Sequence, residues 1–244
     1  MRAIVFFAVL CQPLICGAQD TTRSAERPGR WNVGFSGSID HCDRYLRKAG
    51  EDTDTGMLGE LVNEVEQPII GWSAGLDAKR DFGQHWSVLS GVHYSLRGYG
   101  SEQTYEWIAV DPVGADPAVP VSARSTFKFS YLEVPLVAMY SVGNNRLQGL
   151  LAAGMRGGLL IGATGRMIVQ FGAGQEEMSD GPVEGMRRQS LMAIACIGGS
   201  YRIGERSRLR ILPEARFAMG SATDGPLRSS LWSVGLTFGA AYRL

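Results

Sequence analysis

The sequence predicts an all-β fold, an eight-stranded antiparallel up-and-down β-barrel that crosses a membrane. Three observations predict it. Eight segments alternate apolar residues with small or polar ones, a period of two that places them on opposite faces of a β-strand. Short and long connections alternate along the chain, and the last alternating segment continues to Leu244. This pattern is typical of a wall with lipid outside and polar groups inside.

The eight segments are defined by this periodicity. In the first of them, Trp31, Val33 and Phe35 alternate with small or polar residues. The sixth is so uniformly apolar that its sequence does not reveal which residues share a face. The segments cover residues 31–39, 70–79, 86–97, 127–140, 147–161, 190–203, 208–217 and 232–244.

Composition argues against several other classes of protein. The mean hydropathy of -0.04 is too low for a bundle of membrane helices, whereas a barrel strand needs only about half of its residues apolar. The longest apolar stretch after the N-terminus, Leu147–Ile161, is interrupted by Arg156 and is shorter than a spanning helix of roughly 20 residues.

The charged and metal-binding residue types also exclude some partners. Lys plus Arg number 24 and Asp plus Glu number 24, so we expect no nucleic acid partner. The histidines and cysteines are scattered, so we expect no metal site and no cofactor.

The N-terminus has the pattern of a secretory signal peptide. Arg2 supplies a positive charge, Ala3–Leu10 an apolar core, and Cys16-Gly17-Ala18 the small residues before a cleavage point. A membrane anchor and a lipoprotein are the alternatives, but the apolar core is short and neither cysteine follows the usual small residues. Cleavage would leave Cys42 and Cys196, so we expect no disulfide framework. The predicted regions are a signal peptide at 1–18, a short periplasmic segment at 19–30 and the barrel at 31–244.

The connections between the segments fall into two classes. Three are tight turns rich in residues that tolerate turn dihedrals, Asp81–Gln84, Gly143–Asn145 and Gly204–Ser207. The others are long, and structureless loops of that length are unexpected in a compact soluble domain. In a transmembrane barrel, short turns lie at the periplasmic rim and long loops lie outside the cell. We expect the long extracellular loops near 40–67, 98–124, 162–188 and 220–230.

Aromatic residues lie near the ends of the predicted strands. Because amphipathic rings prefer the two membrane interfaces, this placement is typical of aromatic girdles. Packing inside a soluble core is the alternative. The residues are Trp31, Trp86, Tyr94, Tyr140, Tyr201, Trp232 and Tyr242.

Charged residues fall on the predicted inner face of the barrel. In so narrow a lumen each charge needs a partner. We therefore hypothesise a polar network that plugs the barrel, in which Glu133 and Glu214 pair with Arg156, Arg210 or Arg216. A narrow channel lined by these charges is the alternative. The inward charged residues are Asp77, Lys79, His93, Arg97, Glu133, Arg156, Arg210, Glu214, Arg216 and Arg243.

Tyr131-Leu132-Glu133-Val134-Pro135-Leu136 resembles a Tyr-Leu-Glu-(Ile/Val)-Pro-Leu stretch of the outer-membrane β-barrel domain family that includes the PorT-like proteins. The glycine-rich Leu150–Leu160 and the ending Gly235–Leu244 are also similar to that family, although its members more often end on an aromatic residue. The resemblance implies a barrel in the outer membrane of a Gram-negative bacterium. Its surroundings would be membrane lipid and lipopolysaccharide, and the outer-membrane assembly machinery would insert it. Some relatives serve protein secretion, a role that the resemblance does not carry over to this chain.

We expect a non-enzymatic integral outer-membrane protein that is structural, adhesive or part of an envelope or secretion complex. It would act through its extracellular loops, with a protein partner as one possibility. Acidic residues in the first loop indicate solvated surface more than a cation site. Aromatic residues in the second loop would anchor a partner or pack over the barrel mouth. The acidic residues are Asp52, Asp54, Glu64 and Glu66, and the aromatic ones are Tyr99, Tyr105 and Trp107.

Two other functions compete with this one. A lipid-modifying enzyme needs a base beside a nucleophile, and no group of residues meets that requirement well enough to predict a catalytic residue. A soluble barrel that binds an apolar ligand would need apolar residues inside, the reverse of the observed pattern. The candidates for catalysis are His41 with Asp40, Asp43 and Ser38, His93 with Ser95, and His85.

Overall fold

The computed structural model describes residues 30–48, 66–104, 120–144, 146–171, 175–223 and 227–244. The predicted signal peptide lies outside these ranges, as do the loop residues Asp52, Asp54, Glu64, Tyr105 and Trp107. The described residues contain no helix long and apolar enough to cross a membrane. They form the strands β1 (Trp31–Lys48), β2 (Glu66–Gln67), β3 (Ile69–Phe82), β4 (Trp86–Thr104), β5 (Pro120–Gly143), β6 (Leu147–Phe171), β7 (Glu176–Pro182), β8 (Gln189–Arg202), β9 (Ser207–Ala218) and β10 (Leu227–Arg243).

Eight of these strands form a closed antiparallel ring. The order β1-β3-β4-β5-β6-β8-β9-β10 returns to β1, where the pairing runs from Asn32 opposite Arg243 to Lys48 opposite Leu227. The short β2 pairs with β4, and β7 pairs with β6. A closed ring leaves no unpaired strand edge in hydrocarbon, where backbone groups find no other partners. The predicted fold class, an all-β eight-stranded up-and-down barrel, is confirmed.

The two faces of the wall differ as the alternation predicts. On β3, Leu76 is 71% exposed on the outer surface, whereas the next residue, Asp77, is 6% exposed because it faces the lumen. The structure also resolves the faces of the uniformly apolar β8. Its even-numbered residues Met192, Ile194 and Cys196 are buried inside the barrel.

Aromatic residues on the outer face lie at two levels of the barrel. These two bands are marked by Trp72 and Phe82 on β3, and by Trp232 and Tyr242 on β10, ten residues apart in each strand. At about 3.4 Å per residue and a strand tilt near 40°, ten residues span about 26 Å along the barrel axis. That height matches the apolar band of a transmembrane barrel, about 25 Å. The band at the turns also contains Trp31, Trp86, Tyr140 and Tyr201, and the other band contains Tyr94.

The strands extend further than the predicted loop boundaries allowed. β1 continues to Lys48, β4 to Thr104 and β6 to Phe171, and β7 lies inside the segment predicted as the loop 162–188. The predicted loops near 40–67, 98–124, 162–188 and 220–230 therefore begin or end inside strands. The physical reason is that backbone pairing continues past the apolar band of the wall. There the outer face is no longer regularly apolar and the alternation is lost, although inward residues such as Cys42, Leu46 and Tyr99 stay buried.

Candidate functional site: the lumen and its charge network

The lumen is filled by three layers of side chains. An apolar layer lies toward the tight turns, and an apolar and aromatic layer lies toward the long loops. Charged side chains occupy the level between them. The lower layer contains Leu89, Val137, Met139, Leu150, Ala152, Ile194, Cys196 and Leu212, and the upper layer is built on Tyr99, Phe129, Tyr131 and Leu231.

One continuous chain of ion pairs crosses the charged layer. Glu133 accepts hydrogen bonds from Arg97 at 2.9 Å and from Arg156 at 3.1 Å. The other end of Arg156 lies 3.5 Å from Glu214. Arg216 in turn donates to Glu214 and, at 2.7 Å, to Asp40. This chain runs in the order Arg97 on β4, Glu133 on β5, Arg156 on β6, Glu214 and Arg216 on β9, and Asp40 on β1.

Hydroxyl groups supply further partners to this chain. Ser38 donates to Asp40 at 2.8 Å and accepts from Arg216 at 3.1 Å. Thr237 donates to the second oxygen of Glu214 at 3.0 Å. Because a buried charge is costly unless its remaining hydrogen-bonding groups are satisfied, these hydroxyls stabilise the ion pairs.

A second, smaller group contains Asp77, His93 and Arg210. His93 Nε2 lies 2.8 Å from Asp77 Oδ1, and Arg210 donates to the other oxygen of the same carboxylate. Within the described residues the buried lumenal guanidinium and carboxylate groups are therefore equal in number. The four guanidinium groups are Arg97, Arg156, Arg210 and Arg216, and the four carboxylates are Asp40, Asp77, Glu133 and Glu214.

The structure brings the five hypothesised network residues to one level of the lumen, where Glu133 pairs with Arg156 and Glu214 pairs with Arg156 and Arg216, as hypothesised. Three further contacts lie outside the hypothesis. Arg210 contacts Asp77, not Glu133 or Glu214. Glu133 takes Arg97 as a partner, which the hypothesis did not include. Asp40, assigned from sequence to the first loop, belongs to the network. The parity of Asp40 on β1, shared with Ser36 and Ser38, is the signal that could have identified it.

Inward-facing glycines leave room for the charged side chains. A Cβ atom at Gly75 would lie 2.6 Å from the His93 ring, and one at Gly239 would lie 2.5 Å from Arg210 Nε. Both distances are closer than non-bonded atoms approach. Large guanidinium and imidazole groups therefore fit inside an eight-stranded barrel because the paired residue on the neighbouring strand is a glycine.

The upper layer includes residues that sequence analysis assigned to the loops. Tyr99 is buried, and the Arg44 guanidinium lies 3.7 Å from the centre of its ring. Arg44 also pairs with Glu66, whose side chain is 3% exposed. Burial raises the pKa of the Glu66 carboxyl above its ordinary value of 4.5, while Arg44 acts in the opposite direction. Tyr99 thus packs over the barrel mouth, and Glu66 is not solvated loop surface.

Two of the long connections meet above this layer. Met186 forms a backbone bridge with Thr223, and the amide of Arg187 donates to the carbonyl of Ala222 at 2.9 Å. Met186 and Ala222 also pack against the apolar cluster. The connection before β8 and the connection after β9 therefore hold each other over the lumen.

The residues considered for catalysis do not assemble into a reactive group. His41 faces outward beside Trp232, whereas Asp40 and Ser38 are buried on the inner face. Ser95 Oγ has no hydrogen-bond partner in the described ranges, so it is not bonded to His93. His85 Nδ1 lies 3.0 Å from the carbonyl of Ser141 in a tight turn. In the same ranges no three His, Cys, Asp or Glu side chains are grouped to hold a metal ion.

Comparisons with solved structures found distant similarities to several proteins. The chain resembles Neisserial surface protein A, with 14% identity, a TM-score of 0.45, and coverage of 88% of this chain and 97% of that one. It also resembles OprG from Pseudomonas aeruginosa, with 10% identity, a TM-score of 0.43 and coverage of 89% and 98%. The outer membrane protease OmpT from Escherichia coli is similar at 8% identity, a TM-score of 0.36 and coverage of 89% and 97%. A search of curated protein sequences found no match.

A family model provides the assignment that these distant similarities do not. The model described as "Outer membrane protein beta-barrel domain" matches residues 18–243. This match, together with the closed ring and its apolar outer face, places the protein in the outer membrane of a Gram-negative bacterium. The chain belongs to the outer membrane protein β-barrel domain family.

Proposed function

We propose that the protein is a non-enzymatic, non-conducting barrel that holds a recognition surface outside the cell. The observation that carries the proposal is the filled lumen. The balanced charge layer lies between two apolar layers, so an ion would have to displace buried ion pairs and cross apolar side chains. Both steps are costly in a medium of low dielectric constant.

The free space inside the lumen supports the plug over the alternative, a narrow channel. A gap of about 40 Å³ lies between the charged layer and the lower apolar layer. This gap is far smaller than the roughly 300–1,000 Å³ that is usual for a ligand pocket, and apolar side chains such as Leu89 and Val137 line one side of it.

The recognition surface is the part of the sheet that continues beyond the outer aromatic band. There β5, β6 and β7 form one sheet, and every residue of β7 is exposed. In the described residues β7 pairs only with β6. A strand with one open edge is a template for strand addition by a partner protein. Acidic Glu176 and Glu177 on β7 favour a partner segment with basic residues.

The plug is tested by conductance and thermal stability. We expect the wild-type protein to produce no regular conductance steps in a planar bilayer. Glu133→Gln should lower the temperature of the heat-induced gel shift, because Arg97 and Arg156 lose their shared carboxylate. Glu102→Gln is the matched control, since Glu102 pairs with the exposed Arg124. Steady wild-type conductance would favour the channel, and unchanged stability and conductance in Glu133→Gln would discard both the plug and the channel.

The recognition surface is tested on intact cells. A photoreactive amino acid at Met178, which is 64% exposed on β7, should crosslink to a protein partner. The same photoreactive residue at Leu76, on the lipid-facing surface, should yield lipid adducts only. Absence of any protein adduct from Met178 would contradict recognition by this surface.

A further inference from the structure

A cleft of about 700 Å³ in the outer half of the barrel is lined from both sides of the wall. Its apolar part is formed by lipid-facing residues that include Val134, Gly157 and Leu159. Its polar part is formed by lumen-facing residues that include Arg97, Tyr131 and Ser190. The volume lies within the range of about 300–1,000 Å³ that is usual for small-molecule sites.

The apolar part of the cleft is a groove centred on Gly157. No atom lies within 4 Å of the position that a Cβ atom would take there. Neighbouring positions on the same face carry Val134, which pairs with Gly157, and Leu159. The groove therefore opens toward hydrocarbon, and the molecule that reaches it from the membrane is an acyl chain.

A break in the strand pairing connects the groove with the lumen. The amide of Met219 donates to the carbonyl of Leu191, and the amide of Arg187 donates to that of Ala222. Between these two bonds, in this described part of the chain, no backbone hydrogen bond joins residues 188–190 to residues 220–221. We call this break the lateral window. Residues from both of its sides, Gln189 and Gly220 among them, line the cleft.

Two buried polar groups in the cleft have no partner. Arg97 is 2% exposed, and its Nη2 donates to Glu133, but its Nε has no hydrogen-bond acceptor among the described residues. Ser190 Oγ is likewise buried without a partner. Since leaving a buried donor unsatisfied costs about 1–3 kcal/mol, an acceptor from a ligand would stabilise this site.

The charge balance of the lumen identifies the kind of acceptor. The four lumenal guanidinium groups already face four carboxylates. A carboxylate or phosphate ligand would add an unpaired negative charge to a buried region, which is unfavourable. An uncharged carbonyl or hydroxyl group satisfies the two donors without changing this balance.

We propose that the cleft binds a single-chain, uncharged amphiphile of the monoacyl ester class that enters from the outer leaflet. Its acyl chain lies in the groove at Gly157, and its carbonyl group passes the lateral window to accept hydrogen bonds from Arg97 Nε and Ser190 Oγ. This site is independent of the recognition surface on β7.

The probe for this proposal is a monoacylglycerol with a diazirine in its acyl chain, added to the protein refolded in phosphatidylcholine vesicles. After irradiation, labelled peptides are identified by mass spectrometry. We expect saturable labelling concentrated in the peptides around residues 157–159 and 189–192. An excess of unlabelled monoacylglycerol should remove it, whereas the same excess of palmitate at pH 8 should not. Equal competition by palmitate would overturn the uncharged class, and labelling spread evenly around the barrel would overturn the site.

A matched pair of variants separates the groove from general lipid contact. Gly157→Leu fills the groove and should reduce labelling at least fivefold. Gly149→Leu places the same side chain on the same outer face of β6, where the nearest atom is 3.7 Å away, and should leave labelling unchanged. Ser190→Ala should weaken labelling without altering the heat-induced gel shift. Equal labelling of wild type, Gly157→Leu and Ser190→Ala, all folded by that gel shift, would overturn the proposal.

Discussion

Arg216 Nη1 lies 2.7 Å from Asp40 Oδ2, although 176 residues separate the two along the chain. Arg216 is on β9 and Asp40 is on β1, and β10 lies between them in the ring. The ion pair therefore joins two strands that share no backbone hydrogen bonds. Side-chain contacts of this kind reinforce the closure between the first and last strands.

We predict that Arg216→Met strongly destabilises the barrel. The substitution removes the cation from two buried carboxylates, Glu214 and Asp40, and an uncompensated buried charge typically costs about 3–5 kcal/mol. The free energy of unfolding should be measured by urea titration in lipid vesicles, with tryptophan fluorescence as the signal.

The control for this prediction is Arg166→Met. Arg166 makes two hydrogen bonds to Asp180, but both side chains are more than half exposed, and such solvent-screened pairs contribute little to stability. The double variant Arg216→Met with Asp40→Asn should lose less free energy of unfolding than the two single variants lose together, because the two side chains interact directly. Equal losses in Arg216→Met and Arg166→Met would show that the lumenal pair has no special role.

Gly239→Val should also destabilise the barrel. A side chain at this inward position would overlap the Arg210 guanidinium, so Arg210 would have to leave its place beside Asp77. Overpacking of a filled interior typically costs about 1–3 kcal/mol. Gly149→Val, on the outer face with open space around it, should change the unfolding midpoint little. A Gly239→Val barrel as stable as wild type would mean that Arg210 has another position available.

The fold was predictable because lipid and a filled lumen impose opposite requirements on alternate residues. On β1 and β10 the alternation is strong, and the structure pairs these strands in a ring as expected. The partners within the lumen were not predictable, because parity says which residues point inward but not which ones face each other across the barrel. That arrangement depends on the stagger between strands, which set Arg210 opposite Asp77 and Arg216 opposite Asp40.

The part of the sheet that ends in β7 shows a second limit of the same reasoning. β7 has the sequence EEMSDGP, and all its residues are exposed. Strand periodicity is visible only where one face is apolar, so a hairpin with water on both faces leaves no such signal. Its pairing with β6 follows from backbone hydrogen bonds that the side-chain pattern does not report.

The Asp180 carboxyl on that hairpin should have a pKa below its ordinary value. Hydrogen bonds from Arg166 lower the pKa of the Asp180 carboxyl below 3.8. A lowered pKa means that the ionised carboxylate favours the hairpin above about pH 3.8, and that this contribution is lost as the pH falls through the folded value. The carboxyl chemical shift, followed by NMR from pH 2 to 7, reports the pKa directly. In Arg166→Gln it should return toward 3.8, and an unchanged value would show that Arg166 is not its cause.

Leu76→Arg should test the lipid-facing surface at its most sensitive depth. Leu76 lies on β3 between Trp72 and Phe82, the two residues that mark the aromatic bands, and is 71% exposed. An arginine at the middle of the membrane costs about 2–4 kcal/mol, whereas one near an interface costs about 0–1 kcal/mol.

Ile203→Arg is the matched variant. Ile203 is also a branched apolar residue and is also largely exposed, but it lies in the turn after β8. Unfolding in vesicles should therefore show a large loss for Leu76→Arg and a small one for Ile203→Arg. Similar losses for the two variants would mean that Leu76 does not face hydrocarbon, since depth in the membrane is the principal difference between their environments.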